Sequence, residues 1–231
     1  MTSAWTICAA GLLLAVPIGA GAASPARPTP GAKPAAKAKP APKVRIAPLA
    51  CAVPVGRADS ARALQRRFGD NALPSSRSDE QGVQVFKLVL YPYEPARRIE
   101  VIYPDAAMRV PLRLSIDRLS STWSVGGLRV GQDLAAVTAR NGGPFALRGF
   151  GPGEGGRVID WKGGALGAAL PGGCTVGVRL VAPLPEQVAA GASGAARIVG
   201  SQQGEVVAAE PLVAELSISW PAPAAPVRKR K

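Results

Sequence analysis

Apolar positions along residues 59–220 recur at two spacings, and the switch between them sets out the fold. Over 59–68, Ala61, Leu64 and Phe68 share a helical face, Asp59 or Ser60 is placed to cap it, and Gly69 ends it. Period-two alternation follows. Residues 83–91 are rich in Val, Phe and Leu, 98–103 place Ile99, Val101 and Tyr103 on one side, and 112–116 read Leu-Arg-Leu-Ser-Ile. Such segments predict half-buried strands. A second helix is predicted over 133–140, capped by Asp133, stopped by Asn141-Gly142, and apolar along Leu134, Ala136 and Val137. Strands are expected again at 145–150, 157–161 and 174–181. Another is expected at 212–220, with Leu212, Ala214, Leu216, Ile218 and Trp220 together. Residues 183–204, rich in Gly, Ala and Gln, read as a long loop or weak hairpin. The expectation is an α+β domain: two short helices packed on mostly antiparallel sheet. Val55-Gly56 before the first helix echoes Val130-Gly131 before the second, consistent with two degenerate helix-plus-meander repeats.

The two ends of the chain follow different patterns. Residues 7–22 are apolar and uncharged, too short for the roughly 20 residues that span a bilayer. With Pro17 and the Ala20-Gly21-Ala22 site they read as a signal peptide, 1–22, cleaved before Ala23 or one residue later. Residues 23–50 form a Pro/Ala/Lys-rich linker, semi-rigid through its prolines and like charges. The single domain is placed at 51–220, and 221–231 is a basic tail. Export is the implied address, to the periplasm or the extracellular space, with no transmembrane span left after processing.

Charge follows the same division. The chain carries 28 basic and 15 acidic residues, a formal +13. Six basic residues with no acid lie in 24–47, and Arg228-Lys229-Arg230-Lys231 add four, so the domain itself is near balance. Flexible basic ends suit loose attraction to anionic envelope polymer, or simple solubility and spacing, rather than a shaped nucleic-acid groove. Arg66-Arg67 and Arg97-Arg98 read as solvated faces. Cys51 and Cys174 are the cysteines that remain after the leader, a pair suited to bridging in an oxidising compartment. No histidine occurs anywhere, which excludes Ser-His-Asp and Cys-His chemistry and His-ligated zinc. No cofactor, metal site or catalytic residue is assigned.

The densest local signal is Gly149-Phe150-Gly151-Pro152-Gly153-Glu154-Gly155-Gly156. It satisfies G-x-G-x-x-G formally but leads into a strand, not the helix that dinucleotide binding needs, and so reads as a glycine-rich hairpin. As a binding loop it would use Phe150, Gly151, Glu154, Gly155, Gly156, Asp160 and Trp161. Glu154 and Asp160 also form a carboxylate pair of the kind glycoside hydrolysis uses, if they face one cleft.

Residues 123–166 resemble a family of uncharacterised exported bacterial proteins. The resemblance rests on Gly127-Leu128-Arg129-Val130-Gly131, Leu134, Asn141-Gly142 and Pro144-Phe145. It continues through Gly149-Phe150-Gly151, Gly155-Gly156, Trp161 and Gly163-Gly164-Ala165-Leu166. Upstream, Pro92 and Arg97-Arg98 within 90–103 fit the same pattern. Relatives often carry Trp-Asp-Tyr in the glycine loop where this chain has Pro152-Gly153-Glu154. The resemblance implies address and fold but no established activity. The helix-then-strands pattern also looks like the small αβ repeats of outer-membrane assembly lipoproteins and β-lactamase-inhibitor proteins, which bind other proteins. The expected function is a non-catalytic envelope protein binding a protein or glycan partner. The alternatives are a His-free carboxylate hydrolase or lyase acting on envelope material, and a secreted enzyme inhibitor.

Overall fold

The structure is a computed structural model that describes residues 45–78 and 84–221. The leader, the linker up to residue 44 and the tail from residue 222 lie outside the described residues. In chain order the elements are β1 (Ala47–Pro48), α1 (Ala61–Phe68), β2 (Ala72–Ser78), β3 (Gln84–Leu90), β4 (Ile99–Tyr103), β5 (Arg113–Ile116) and β6 (Trp123–Ser124). Then come α2 (Leu134–Asn141), β7 (Ala146–Arg148), β8 (Val158–Asp160), β9 (Thr175–Val181), β10 (Ile198–Gly200), α3 (Gly204–Ala208) and β11 (Leu212–Ser219). This is an α+β fold.

Six strands form one antiparallel sheet in the order β2-β3-β4-β5-β11-β9. Its register explains the alternation in the sequence. Leu88, Val101, Leu114, Ile218 and Val176 stand in one cross-strand row, and all five are buried. The row one residue away reads Val89, Glu100, Ser115, Ser217 and Gly177, so the opposite face is polar at its centre. Burying each large aliphatic side chain contributes about 1.5–3 kcal/mol, which pins the register, since a one-residue slip would invert every side chain. A β-bulge between Val213 and Glu215 breaks the simple alternation expected over 212–220. Val213, Leu216, Ile218 and Trp220 are buried instead, while Leu212 and Ala214 are only half-buried.

The helices end as their sequences dictate. Ser60, not Asp59, caps α1, its Oγ accepting from the Ala63 N–H at 3.2 Å. Asp59 closes the preceding turn, accepting from the Gly56 N–H at 2.8 Å. Asp133 caps α2 by accepting from the Ala136 N–H at 2.8 Å. α1 packs beside β2, and the Tyr103 hydroxyl at the end of β4 donates to the Asp59 carbonyl. α2 lies at the β9 side, bridged to β11 through Asp133 and Leu212.

Three readings of the sequence change. Residues 183–204 hold β10 and lead into α3, so the described residues contain three helices rather than two. The two helix-plus-strand units are also unlike. After α1 the strands β2 to β5 run as one meander. After α2 they divide, β7 and β8 joining β10 in a small sheet while β9 and β11 complete the large one. Lastly, ordered pairing starts upstream of Cys51: β1 runs parallel to β6, and Leu49 is buried in the core.

Cys51 and Cys174 are joined by a disulfide across 123 residues, with Cα atoms 5.5 Å apart. It ties the start of the domain to the turn before β9. The Trp220 indole N–H donates to the Cys51 carbonyl at 3.2 Å, so the bridge, the first residues and the last strand meet in the core.

Candidate functional site

The sequence singled out the glycine-rich loop, and its backbone is committed to the interior. Phe150 is buried; its N–H donates to the Ala192 carbonyl at 2.8 Å and its carbonyl accepts from the Gly194 N–H at 2.7 Å. Gly155 and Gly156 are buried too. Gly156 carries φ 73°, and its carbonyl accepts from the Leu180 N–H at 2.9 Å, stitching the loop to β9. A Cβ at Gly156 would collide with the Leu180 carbonyl, so the residue is demanded by packing. Only Gly151, Pro152, Gly153 and Glu154 face solvent.

Asp160 and Trp161 belong to the other end of the β7–β8 hairpin, where Asp160 pairs with Ala146. The loop that carries Glu154 closes the opposite end. The two carboxylates share no cleft, and each has its own cation. Glu154 pairs with Arg157, and Asp160 Oδ2 lies 2.8 Å from Lys162 Nζ. Hydrogen bonds from the Lys162 ammonium and backbone N–H hold the Asp160 carboxyl below its usual range, opposite to what a general acid needs. The described arrangement therefore lacks the paired-carboxylate geometry of glycoside hydrolysis.

Trp161 is half-buried, with its ring against buried Phe145, centroids 5.4 Å apart. Its carbonyl accepts from Asn141, a buried side chain at the end of α2. Asn141 Nδ2 also donates to the carbonyls of Gly143 (3.1 Å) and Pro144 (3.4 Å), and Oδ1 accepts from the Leu166 N–H (3.3 Å). A Cβ at Gly164 would fall on the Asn141 amide. Asn141, Phe145, Trp161, Gly164 and Leu166 thus form one knot. These residues carried the resemblance noted above, and in the structure they fasten α2 to the small sheet. That shared spacing has a packing explanation. A small pocket of about 500 Å³ remains beside Trp161, bordered by Asp160, Gly163 and Gly167.

The larger opening is elsewhere. A groove of about 990 Å³ lies between α2 and α3, walled by Leu134, Ala135, Ala139, Pro183, Val207 and Pro211. Val207 is 53% exposed, pointing away from the core that its neighbour Val206 anchors. Asp133 and Glu210 are the charged residues lining it. A second apolar opening, by Phe145, Lys162 and Gln203, shares Ser201 and Gln202 with the groove and continues it toward the Trp161 knot. Sequence reasoning missed this site because α3 has only five residues, opened by Gly204 and centred on β-branched Val206-Val207, and begins where the stretch 183–204 read as loop ends. The one available signal was the Val206-Val207 pair.

The polar face of the large sheet also carries charge. Glu215 on β11 is 13% exposed at its side chain, 3.4 Å from Arg179 and 3.8 Å from Arg157. Burial alone would raise its carboxyl, but Arg113, Arg157, Arg179 and the Ser115 hydroxyl outweigh it and hold the group below its ordinary value. Lys87 is buried and pairs with Glu100 at 2.6 Å, and Arg98 meets the other Glu100 oxygen at 2.6 Å. These groups pair with one another within the face, although Arg113 Nε and Glu215 Oε1 stay buried without a hydrogen-bond partner.

Among the described residues no helix is long and apolar enough to cross a membrane, and no three His, Cys, Asp or Glu side chains gather to hold a metal. Comparison with known proteins finds no matching family model, no matching curated protein and no matching solved structure.

Proposed function

We propose that this chain is exported and that its folded domain is a non-catalytic binding module, with a protein partner seated in the groove between α2 and α3. The observation that carries this reading is the groove itself: a large, mostly apolar concavity between two helices, with polar groups confined to its edge. That is the chemistry of an apolar polypeptide segment entering a pre-formed site. The disulfide supports an oxidising destination. The N-terminal segment read as a leader and the resemblance to exported proteins support the same address, and the absence of histidine from the sequence supports the non-catalytic reading.

A glycan partner is the second reading, favoured by the pocket beside Trp161, where an indole borders a carboxylate. One experiment separates them. The purified chain is sedimented with membrane, outer-membrane-vesicle and peptidoglycan fractions at low and high salt. Protein binding in the groove predicts a salt-resistant, saturable component on a protein-containing fraction. That component is lost at least tenfold in Val207→Asp and kept in Trp161→Leu. The reverse pattern, on peptidoglycan, supports the glycan reading. Binding that vanishes in salt and ignores both substitutions assigns the attraction to the basic segments and overturns both.

A further inference from the structure

We infer that α1 and the turns flanking it form a cationic surface that docks on anionic phospholipid headgroups, independently of the groove.

The sequence placed the chain's excess positive charge in its linker and tail, yet the folded domain concentrates charge of its own. α1 has eight residues, three of them arginine, and none acidic. Arg62 and Arg66 stand four residues apart on one helical face, a like-charge spacing that costs an isolated helix a few tenths of a kcal/mol. Arg62 in the first turn also opposes the positive end of the helix. Both side chains are exposed, as are Arg57 in the preceding turn and Arg109 in the following loop. The Ala61 N–H donates to the Met108 carbonyl at 2.9 Å, which brings Arg109 beside the start of α1.

Asp59, Asp70 and Asp105 offset this charge only in part, leaving an excess of two over Arg57, Arg62, Arg66, Arg67 and Arg109. Asp59 is taken by Arg67 at 3.0 Å and by the Gly56 N–H. Asp105 accepts from the Ala107 N–H at 2.9 Å. Asp70 lies past the end of the helix. Among the described residues Arg57, Arg62, Arg66 and Arg109 have no carboxylate within ion-pair distance. Elsewhere in the domain Arg97 is matched by Glu94, Arg98 by Glu100, Arg157 by Glu154 and Arg179 by Glu215; of the exposed arginines there without an ion pair, Arg140 donates to the Gly126 carbonyl, and Arg129 and Arg197 stand in separate loops.

Two apolar side chains stand among these cations. Val53 is 56% exposed, and Val110, next to Arg109, is 42% exposed. Arg67 donates to the Pro54 carbonyl at 2.6 Å, which sets Val53 against the last turn of α1. Arginines with apolar tips between them match an interface of phosphate over acyl chain better than a fully hydrated polyanion.

The test uses purified chain lacking residues 1–22 and vesicles of zwitterionic lipid with or without anionic phospholipid. The ridge variant is Arg57→Gln, Arg62→Gln and Arg66→Gln together; glutamine keeps the helix, and unchanged thermal unfolding verifies this. The control removes the same charge from the tail by Arg228→Gln, Lys229→Gln and Arg230→Gln. Each arginine near such a surface is worth about fivefold in affinity, so the ridge variant loses about 100-fold on anionic vesicles. The tail variant loses about tenfold or less. Val53→Ser weakens vesicle binding but not binding to soluble polyphosphate. Equal losses in ridge and tail variants would show that net charge, not this surface, governs binding, and would overturn the inference. So would a ridge variant that binds vesicles like the parent. Loss on polyphosphate as large as on vesicles, with Val53→Ser silent on both, would replace the lipid with a soluble polyanion.

Discussion

Asn141 shows how much one side chain decides. In the sequence it is a helix-stopping residue beside a glycine. In the structure it is the last residue of α2 and buried, with Gly142 behind it at φ 79° as the actual stop. Its amide serves three carbonyls and one N–H from four residues outside its own helix turn. Asn141→Leu keeps the branched outline of the side chain and strands those groups. We expect a loss of about 2–4 kcal/mol, a drop of roughly 5–15 °C in Tm, measured by thermal denaturation. Gly164→Ala acts on the same contact and is expected to destabilise too. Pro152→Ala, in the exposed tip of the glycine loop, is expected to leave Tm unchanged within error. If the loop-tip variant were the damaging one, the division between scaffold and free surface drawn here would be wrong.

At the scale of elements, long alternating segments were legible and short or broken ones were not. β3, β4, β5 and β9 fall within a residue or so of their sequence positions: β4 and β9 write their burial directly as alternation, while β3 shows as a Val, Phe and Leu run whose last residues are buried on both faces. β2 carries Pro74 and three serines on the edge of the sheet, and gave no such pattern. β10 and α3 are too short to show a period at all. The bulge in β11 moved the phase of Leu212 and Val213 by one residue and left Glu215 on the polar face with Ser217. Glu215 makes a prediction for that face. Its folded carboxyl titrates below the ordinary 4.5, so it binds a proton more readily when unfolded. It therefore stabilises the fold fully above about pH 4.5, and that contribution drains away as pH falls through the folded value. Glu100 adds to the same acid slope. Glu215→Gln is expected to cost about 1–3 kcal/mol at neutral pH and to flatten the acid limb, by less than about 1.4 kcal/mol per pH unit. Urea unfolding across pH 2–7 reads both. An acid limb unchanged in the variant would remove Glu215 from the account.

At the scale of the whole molecule, the disulfide and the surface chemistry matter most. Pairing of Cys51 with Cys174 followed from their number and compartment alone, and the structure brings them together. The chain-entropy model assigns closure of so long a loop about 3–5 kcal/mol. Cys51→Ala with Cys174→Ala should lower stability by that order, read by urea unfolding. Mass spectrometry of non-reduced chain should show two hydrogens fewer than the thiol form; free thiols would contradict the pairing. The surface divides more sharply than composition suggested. Four arginines without ion pairs, Arg57, Arg62, Arg66 and Arg109, lie at and around α1, near the β2 edge of the large sheet, whereas Asp133 and Glu210 border a groove at the β9 side. The glycine loop, the strongest motif by eye, turned out to be mostly backbone packing. A sequence records that glycine is required without recording whether a ligand or a neighbouring strand requires it.

The most direct test of the groove as the binding site is hydrogen–deuterium exchange on the intact chain, with and without the envelope fraction that retains it at high salt. The account predicts slowed exchange at residues 134–139 and 207–212, and none at 151–154. Protection confined to 151–154 and the Trp161 pocket, with 134–139 and 207–212 unchanged, would contradict it.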